Sequence, residues 1–283
     1  MIVINLIKSS EKTAFSFEIL PPLKGTGIEK VYETIDLLRE FDPKYINITT
    51  HRSEYVYTEL GNGLFERKRV RRRPGTVAVA AAIQNKYGIP VVPHVLCSGF
   101  TREDIEYMLL DLQFLGITDL LVLRGDKAKH QSVFTPEPGG YSHAIELENQ
   151  INDFNRGIFI DGSPIKEPVH PFGYGVAFYD NAKYFAFVDR LRAEGINVPI
   201  IPGIKPFGKL SQLSVIPKTF KVDLPQTLVA EAMKCHTDAE AAELGVEWCI
   251  NQCRELMRHG VPSIHFYTVG AAQSVSRVAK AIY

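Results

Sequence analysis

Short runs rich in β-branched and aromatic residues alternate along this chain with longer runs of helical period. The strand pattern falls at Ala14–Leu20, Tyr45–Thr50, Val91–Cys97, Asp119–Gly125, Phe172–Tyr179, Val198–Ile204 and Ser263–Val269. Helical spacing of apolar positions runs through Ile28–Phe41, Thr76–Tyr87, Arg102–Leu115, His143–Phe154, Asn181–Glu194 and Asp238–His259. Thr101 stands where an N-cap belongs, with Asp104 three residues on in a capping-box position. Gly88, Gly116, Gly195 and Gly260 follow the last turns of four of these helices, each shortly before the next strand.

Strand, loop, helix, glycine, strand is the order of a parallel α/β protein. No G-x-G-x-x-G follows the first strand and no phosphate-binding G-x-x-x-x-G-K-[ST] occurs, which removes the main support for a nucleotide-binding open sheet. A (β/α)8 TIM barrel fits the length and the alternation, and a single catalytic domain over residues 1–283 is expected. Only seven strand patterns are found, however. The run FGYGVAFYD passes almost directly into the helix NAKYFAFVDRLRAEG, so the eighth strand is missing or disguised there.

Barrel chemistry sits at the C-terminal ends of the strands. Two of those ends stand out. In FSFEILPP the carboxyl of Glu18 lies among Phe15, Phe17, Ile19 and Leu20 before two prolines stop the strand. In LVLRGD an apolar strand delivers Arg124, Gly125 and Asp126. An ionisable group is costly to desolvate and unnecessary for packing, so both acids are candidate working groups; a salt-bridged core acid is the alternative. The apolar neighbours of Glu18 predict a raised pKa and a carboxyl able to give up a proton near neutrality, while Asp126 is expected to stay ionised. Thr49, Thr50, His51, His94, Lys205, His265 and Tyr267 also fall at or near strand ends. A lone strand histidine such as His94 is commonly a hydrogen-bonded core residue, and His265 and Tyr267 share a face by period two, with Tyr267 nearer the rim.

Net charge is zero, with 32 basic and 32 acidic residues, so nothing draws the whole chain to nucleic acid or to an anionic membrane. No apolar run reaches the ~20 residues of a membrane span, and no basic-apolar-small leader pattern opens the sequence; a cytoplasmic protein is expected. Cys97, Cys235, Cys249 and Cys253 form no C-x-x-C pair and read as packed thiols, not a metal site. ERKRVRRRPG carries six basic residues between Arg67 and Arg73. It reads as a solvated loop leading into the Thr76 helix, with nucleic-acid binding as the competing use.

Taken together, FSFEILPP, YINITTHRSE, VVPHVLC, LVLRGD, VPIIPGIKP and SIHFYT, in that order along most of the chain, resemble the methylenetetrahydrofolate reductases. The resemblance implies a barrel that binds FAD and takes a hydride from NADH or NADPH. It then passes the hydride by a ping-pong sequence to 5,10-methylenetetrahydrofolate, giving the methyl donor used in methionine synthesis. It implies Glu18 and Asp126 as catalytic residues that also meet the folate together with Tyr267. Thr49, Thr50, His94, Leu123, Arg124, Gly125, Asp126, His143, Ala144 and Ala177 would hold the flavin. Folate and nicotinamide are the implied partners, in a homo-oligomer with no metal, nucleic acid or membrane involved. A flavin-free, pterin-binding one-carbon transferase is the competing enzyme.

The chain departs from the family at three places. His143 precedes Ala144 where the family has tyrosine before alanine, and VGAAQ follows FYT without the family's arginine. After Ala177 about one βα unit of the family, on the order of 30–40 residues, is absent. A break between Ala177 and Phe178 is the expected sign of an unobserved segment, and a continuous chain there the sign of a deletion.

Overall fold

The computed structural model describes residues 2–128, 131–166, 172, 181–220 and 224–283. Among these, the elements are α1 (Ile2–Lys8), β1 (Ala14–Ile19), α2 (Glu29–Leu38), β2 (Tyr45–Ile48), β3 (Glu54–Gly61), β4 (Leu64–Val70), α3 (Thr76–Tyr87), β5 (Val91–Leu96), α4 (Arg102–Phe114), β6 (Leu121–Leu123), α5 (Ala144–Asn155), α6 (Asn181–Ala193), β7 (Gly203–Ile204), α7 (Gln212–Phe220), α8 (Gln226–Ala232), α9 (Asp238–Arg258), β8 (Ser263–Tyr267) and α10 (Ala272–Ile282).

Six strands form one sheet in the order β6-β5-β2-β1-β8-β7. The last strand in the chain, β8, pairs in parallel with the first, β1, with Ala14 opposite Ser263 and Glu18 opposite Tyr267. An open doubly wound sheet has no reason to join its first strand to its last, whereas a barrel closes that way. The fold is therefore of the α/β barrel class. The run Phe172–Tyr179, expected as a strand, lies outside the described residues except for Phe172, and so does the Ala177–Phe178 junction.

The chain divides into two compact units, one of Met1–Ile2, Leu20–Val31 and Asn47–Tyr174, the other of Val3–Ile19, Tyr32–Ile46 and Gly175–Tyr283. In the second, every residue of β1 is buried, as expected of a parallel strand covered on both faces. Phe15 meets Phe266 of β8 with ring centroids 5.5 Å apart and touches Phe41 and Tyr283 as well. In the first unit, β5 is buried throughout and pairs with β6, and α4 opens with the reciprocal Thr101–Asp104 capping box.

One expectation is corrected here. The first half of the basic run is not a loop: Leu64–Val70 is β4, paired antiparallel with β3 in a two-stranded ribbon, while Arg71–Arg73 follow it in the connection to α3. Its turn carries Gly61, Asn62 and Gly63, all at positive φ. Asn-Gly between two β-rich runs is a hairpin signal, but Arg67, Lys68 and Arg69 gave the run no apolar face to read. Among the described residues, no helix is long and apolar enough to cross a membrane.

Candidate active site

In the second unit the site grows from β1 and β8. Side chains two apart share a face, so Ser16 stands with Glu18 on β1 and His265 with Tyr267 on β8. The Ser16 hydroxyl lies 2.9 Å from His265 Nδ1. The His265 ring stacks on Tyr45 at 6.0 Å between centroids and meets Tyr267 edge-on at 5.5 Å. Gly203 of β7 is a glycine of necessity: a Cβ there would stand 2.5 Å from the Tyr267 hydroxyl. The Thr268 hydroxyl donates to the Glu18 carbonyl and fixes the strand end from which the carboxyl projects.

Glu18 is 8% exposed. Burial raises its carboxyl to about 7, against the opposing pull of Lys205, which follows β7 directly. The same burial lowers the Lys205 ammonium, with Glu18 acting to raise it. That ammonium donates to the Val269 carbonyl at 3.0 Å. Glu18 thus holds a proton over much of the pH range where a solvated glutamate has lost it.

The first unit carries the other predicted residues. Thr49 and Thr50 follow β2. The Thr50 hydroxyl donates to the His94 carbonyl at 2.5 Å, and the Thr49 hydroxyl lies 3.4 Å from His51 Nε2. His94 is buried in β5, and burial, with His51 as the lesser cause, lowers its pKa to about 4, so the ring is neutral at physiological pH. Beyond the ends of β5 and β6 the pairing continues: Cys97 N–H donates to Leu123 O and Ser98 N–H to Arg124 O. The Ser98 hydroxyl donates to the Asp126 carbonyl at 2.7 Å. Gly125 makes this turn at φ 78°, where a Cβ would come 2.8 Å from Ser98 Cβ. The Arg124 guanidinium lies over the Phe134 ring, 4.9 Å from its centroid.

Cys97 Sγ donates to the His143 carbonyl at 3.5 Å, which brings the N-terminus of α5 to the end of β5. His143 and Ser142 give their N–H groups to Glu146, and Ala144 begins the helix. Leu123–Asp126, His94, Thr50 and the His143–Ala144 pair therefore gather at the strand ends of one unit. Glu18 and Tyr267 stand together in the other. Ala177 lies outside the described residues.

Ser16, Gly203 and Ser98 were not foreseen. Ser16 had a signal: it is the one other polar residue in AFSFEI, two positions before Glu18 and so on its face. Gly203 and Ser98 had none, because each matters through a neighbour distant in sequence.

The family model described as methylenetetrahydrofolate reductase matches residues 3–171 and 174–283. The chain belongs to the methylenetetrahydrofolate reductase family. It is 27% identical over 309 residues to methylenetetrahydrofolate reductase (NADH) 1 of Arabidopsis thaliana, covering 97% of this chain and 49% of that protein. It is 26% identical over 282 residues to 5,10-methylenetetrahydrofolate reductase of Pectobacterium carotovorum, covering 91% of this chain and 86% of that one. The chain spans about half the length of the plant and fission-yeast reductases it matches. The 309-residue alignment is longer than this 283-residue chain, so within the matched region the plant reductase has residues that this chain lacks. A Clostridium thermocellum protein solved with two copies of 5-methyl-5,6,7,8-tetrahydrofolic acid has the same fold at a TM-score of 0.50, with 14% identity over 99% of this chain and 97% of its own.

Proposed function

We propose that this chain reduces 5,10-methylenetetrahydrofolate to 5-methyltetrahydrofolate with NADH or NADPH, using FAD. The observation that carries this reading is Glu18, an acid held at about 7 at the end of a buried strand in a member of the reductase family. The folate's methylene carbon bridges two nitrogens. Turning it into a methyl group on one of them adds a hydride to the carbon, breaks its bond to the other nitrogen and leaves that nitrogen in need of a proton. Glu18 supplies the proton and regains one from water before the next turnover, with Lys205 close enough to steady the carboxylate formed meanwhile. Tyr267, opposite Glu18, orients the folate.

The donor set in the first unit suits a flavin. His94, kept neutral by burial, and the Thr49 hydroxyl match an uncharged ring edge, and Arg124 offers a charge to an anionic group. Thr49, Thr50, His94, Leu123, Arg124, Gly125, Asp126, His143 and Ala144 would hold it. A flavin bound there supplies two-electron hydride chemistry.

Glu18→Gln tests the reading. Oxidation of NAD(P)H by the flavin-loaded protein is expected to persist. Folate reduction is expected to fall by about 10²–10⁴-fold, the usual worth of a general acid. Stopped-flow traces of the two half-reactions separate them, and an equal loss in both withdraws Glu18 from the acid role. A visible band near ~450 nm on reconstitution distinguishes a flavoprotein from a flavin-free pterin transferase.

A further inference from the structure

The β3–β4 ribbon has no part in the chemistry above. It interrupts the connection from Ile48 to Thr76, far longer than the ~2–6 residues such a connection needs. Its base is fastened to three strand-end loops of its own unit. Lys24 N–H donates to Arg72 O and the Arg73 guanidinium to Pro21 O, in the loop after β1. The Arg69 guanidinium donates to Gly99 O after β5 at 3.0 Å, and the Tyr55 hydroxyl lies 3.4 Å from Glu137 after β6. The ribbon therefore stands on the rim that carries Arg124 and Asp126.

Register puts Tyr55 opposite Arg69, Tyr57 opposite Arg67 and Glu59 opposite Phe65, all on one face. Tyr57 and Phe65 are 56% and 61% exposed. The Arg67 guanidinium lies over the Tyr55 ring, 4.5 Å from its centroid. Lys68 pairs with Glu66 and Arg72 with Glu54, while Arg69 faces Asp104 at 4.0 Å. Among the described residues, no carboxylate is within ion-pair distance of Arg67 or Arg71.

We infer that this face is a docking arm for the phosphate-bearing adenylate end of the dinucleotide reductant, with Arg67 and Arg71 taking phosphate and Tyr57 and Phe65 the base. This rests on the reductase reading and names the ligand of an element that reading leaves idle. Exposed aromatics beside arginines that have no carboxylate partner match a base beside a phosphate. A bare anion would have no use for the rings, and an apolar partner none for the arginines.

Equilibrium titration of the full chain with adenosine 2′,5′-bisphosphate and with ADP tests this without turnover. Binding that weakens with salt is expected for both if the arm takes the pyrophosphate, and for the bisphosphate alone if it takes a 2′-phosphate. Roughly tenfold or greater loss is expected in the double variant Arg67→Gln/Arg71→Gln, and again in Tyr57→Ala/Phe65→Ala. Both pairs are exposed, and unchanged circular dichroism establishes that the variants fold. Equal affinity in wild type and variants overturns the inference, and folate reduction measured in parallel shows whether the reductase reading still stands. Tight retention of oligouridylate at ~150 mM salt, lost in the arginine variant while neither nucleotide binds, also overturns it in favour of nucleic acid.

Discussion

At the scale of single residues, Glu18 and His94 tie stability to pH with opposite signs. The folded chain keeps the Glu18 proton to about 7, whereas the unfolded chain releases it near 4.5. Between those values the folded state binds more protons, and stability falls as pH rises. The folded chain keeps His94 neutral down to about 4, whereas the unfolded chain protonates it near 6.5. Across that window the unfolded state binds more protons, and stability rises with pH. Each slope is about 1.4 kcal/mol per pH unit, and the two cancel between roughly 4.5 and 6.5. Relative to wild type, Glu18→Gln is therefore expected to make stability rise more steeply with pH over that interval, and His94→Gln less steeply. Urea midpoints taken from pH 4.5 to 6.5 decide it, and profiles parallel to wild type refute the linkage. Both residues were legible in the sequence, since each is a polar interruption of an otherwise apolar run.

At the scale of elements, α9 presses against the chain that follows β7. Thr237 caps its first turn by accepting the Glu240 N–H, and Gly245 lies buried in its middle. A Cβ on Gly245 would stand 1.6 Å from the Phe207 carbonyl oxygen. Glycine to alanine inside a helix ordinarily gains about 1 kcal/mol. Here Gly245→Ala is expected to cost about 1–3 kcal/mol by overpacking, read as a lower thermal midpoint. A gain in stability would show that helix and loop are not in contact. Helix periods and caps were legible in the sequence: α3 spans the run expected of it, and Gly88, Gly116, Gly195 and Gly260 all sit at positive φ. The ribbon was not, because its strands are joined by hydrogen bonds and anchored at their base, with charges where a strand pattern shows apolar residues. β6 and β7 are shorter than their apolar runs, although single backbone hydrogen bonds reach past their ends, from Ser98 N–H to Arg124 O and from His265 N–H to Pro202 O.

At the scale of the whole molecule, the pairing of β1 with β8 sets the architecture. Phe15 and Phe266 are fully buried against each other, Ser263 donates to Ala14 O at 3.0 Å, and the Tyr283 hydroxyl donates to the same carbonyl at 3.2 Å. Phe266→Ala is expected to cost about 3–5 kcal/mol. Amide exchange should show β1 losing protection together with β8, because the two strands share their hydrogen bonds. Loss confined to β8 would contradict the pairing. The order of strand motifs made this class of fold legible without any one strand being decisive. That this chain lacks residues a plant relative has was legible only by comparison with relatives.

That seam also has a timetable. Ser263 lies 249 residues downstream of the Ala14 carbonyl it binds. A ribosome adding roughly 5–20 residues per second needs on the order of 10–50 s to travel from one to the other. Throughout that interval the aromatic AFSFEI segment has no partner for its β8 side. An unpaired edge of this kind can pair with neighbouring chains on the polysome, so a demand for chaperone holding during synthesis is the expected consequence of the register of two strands.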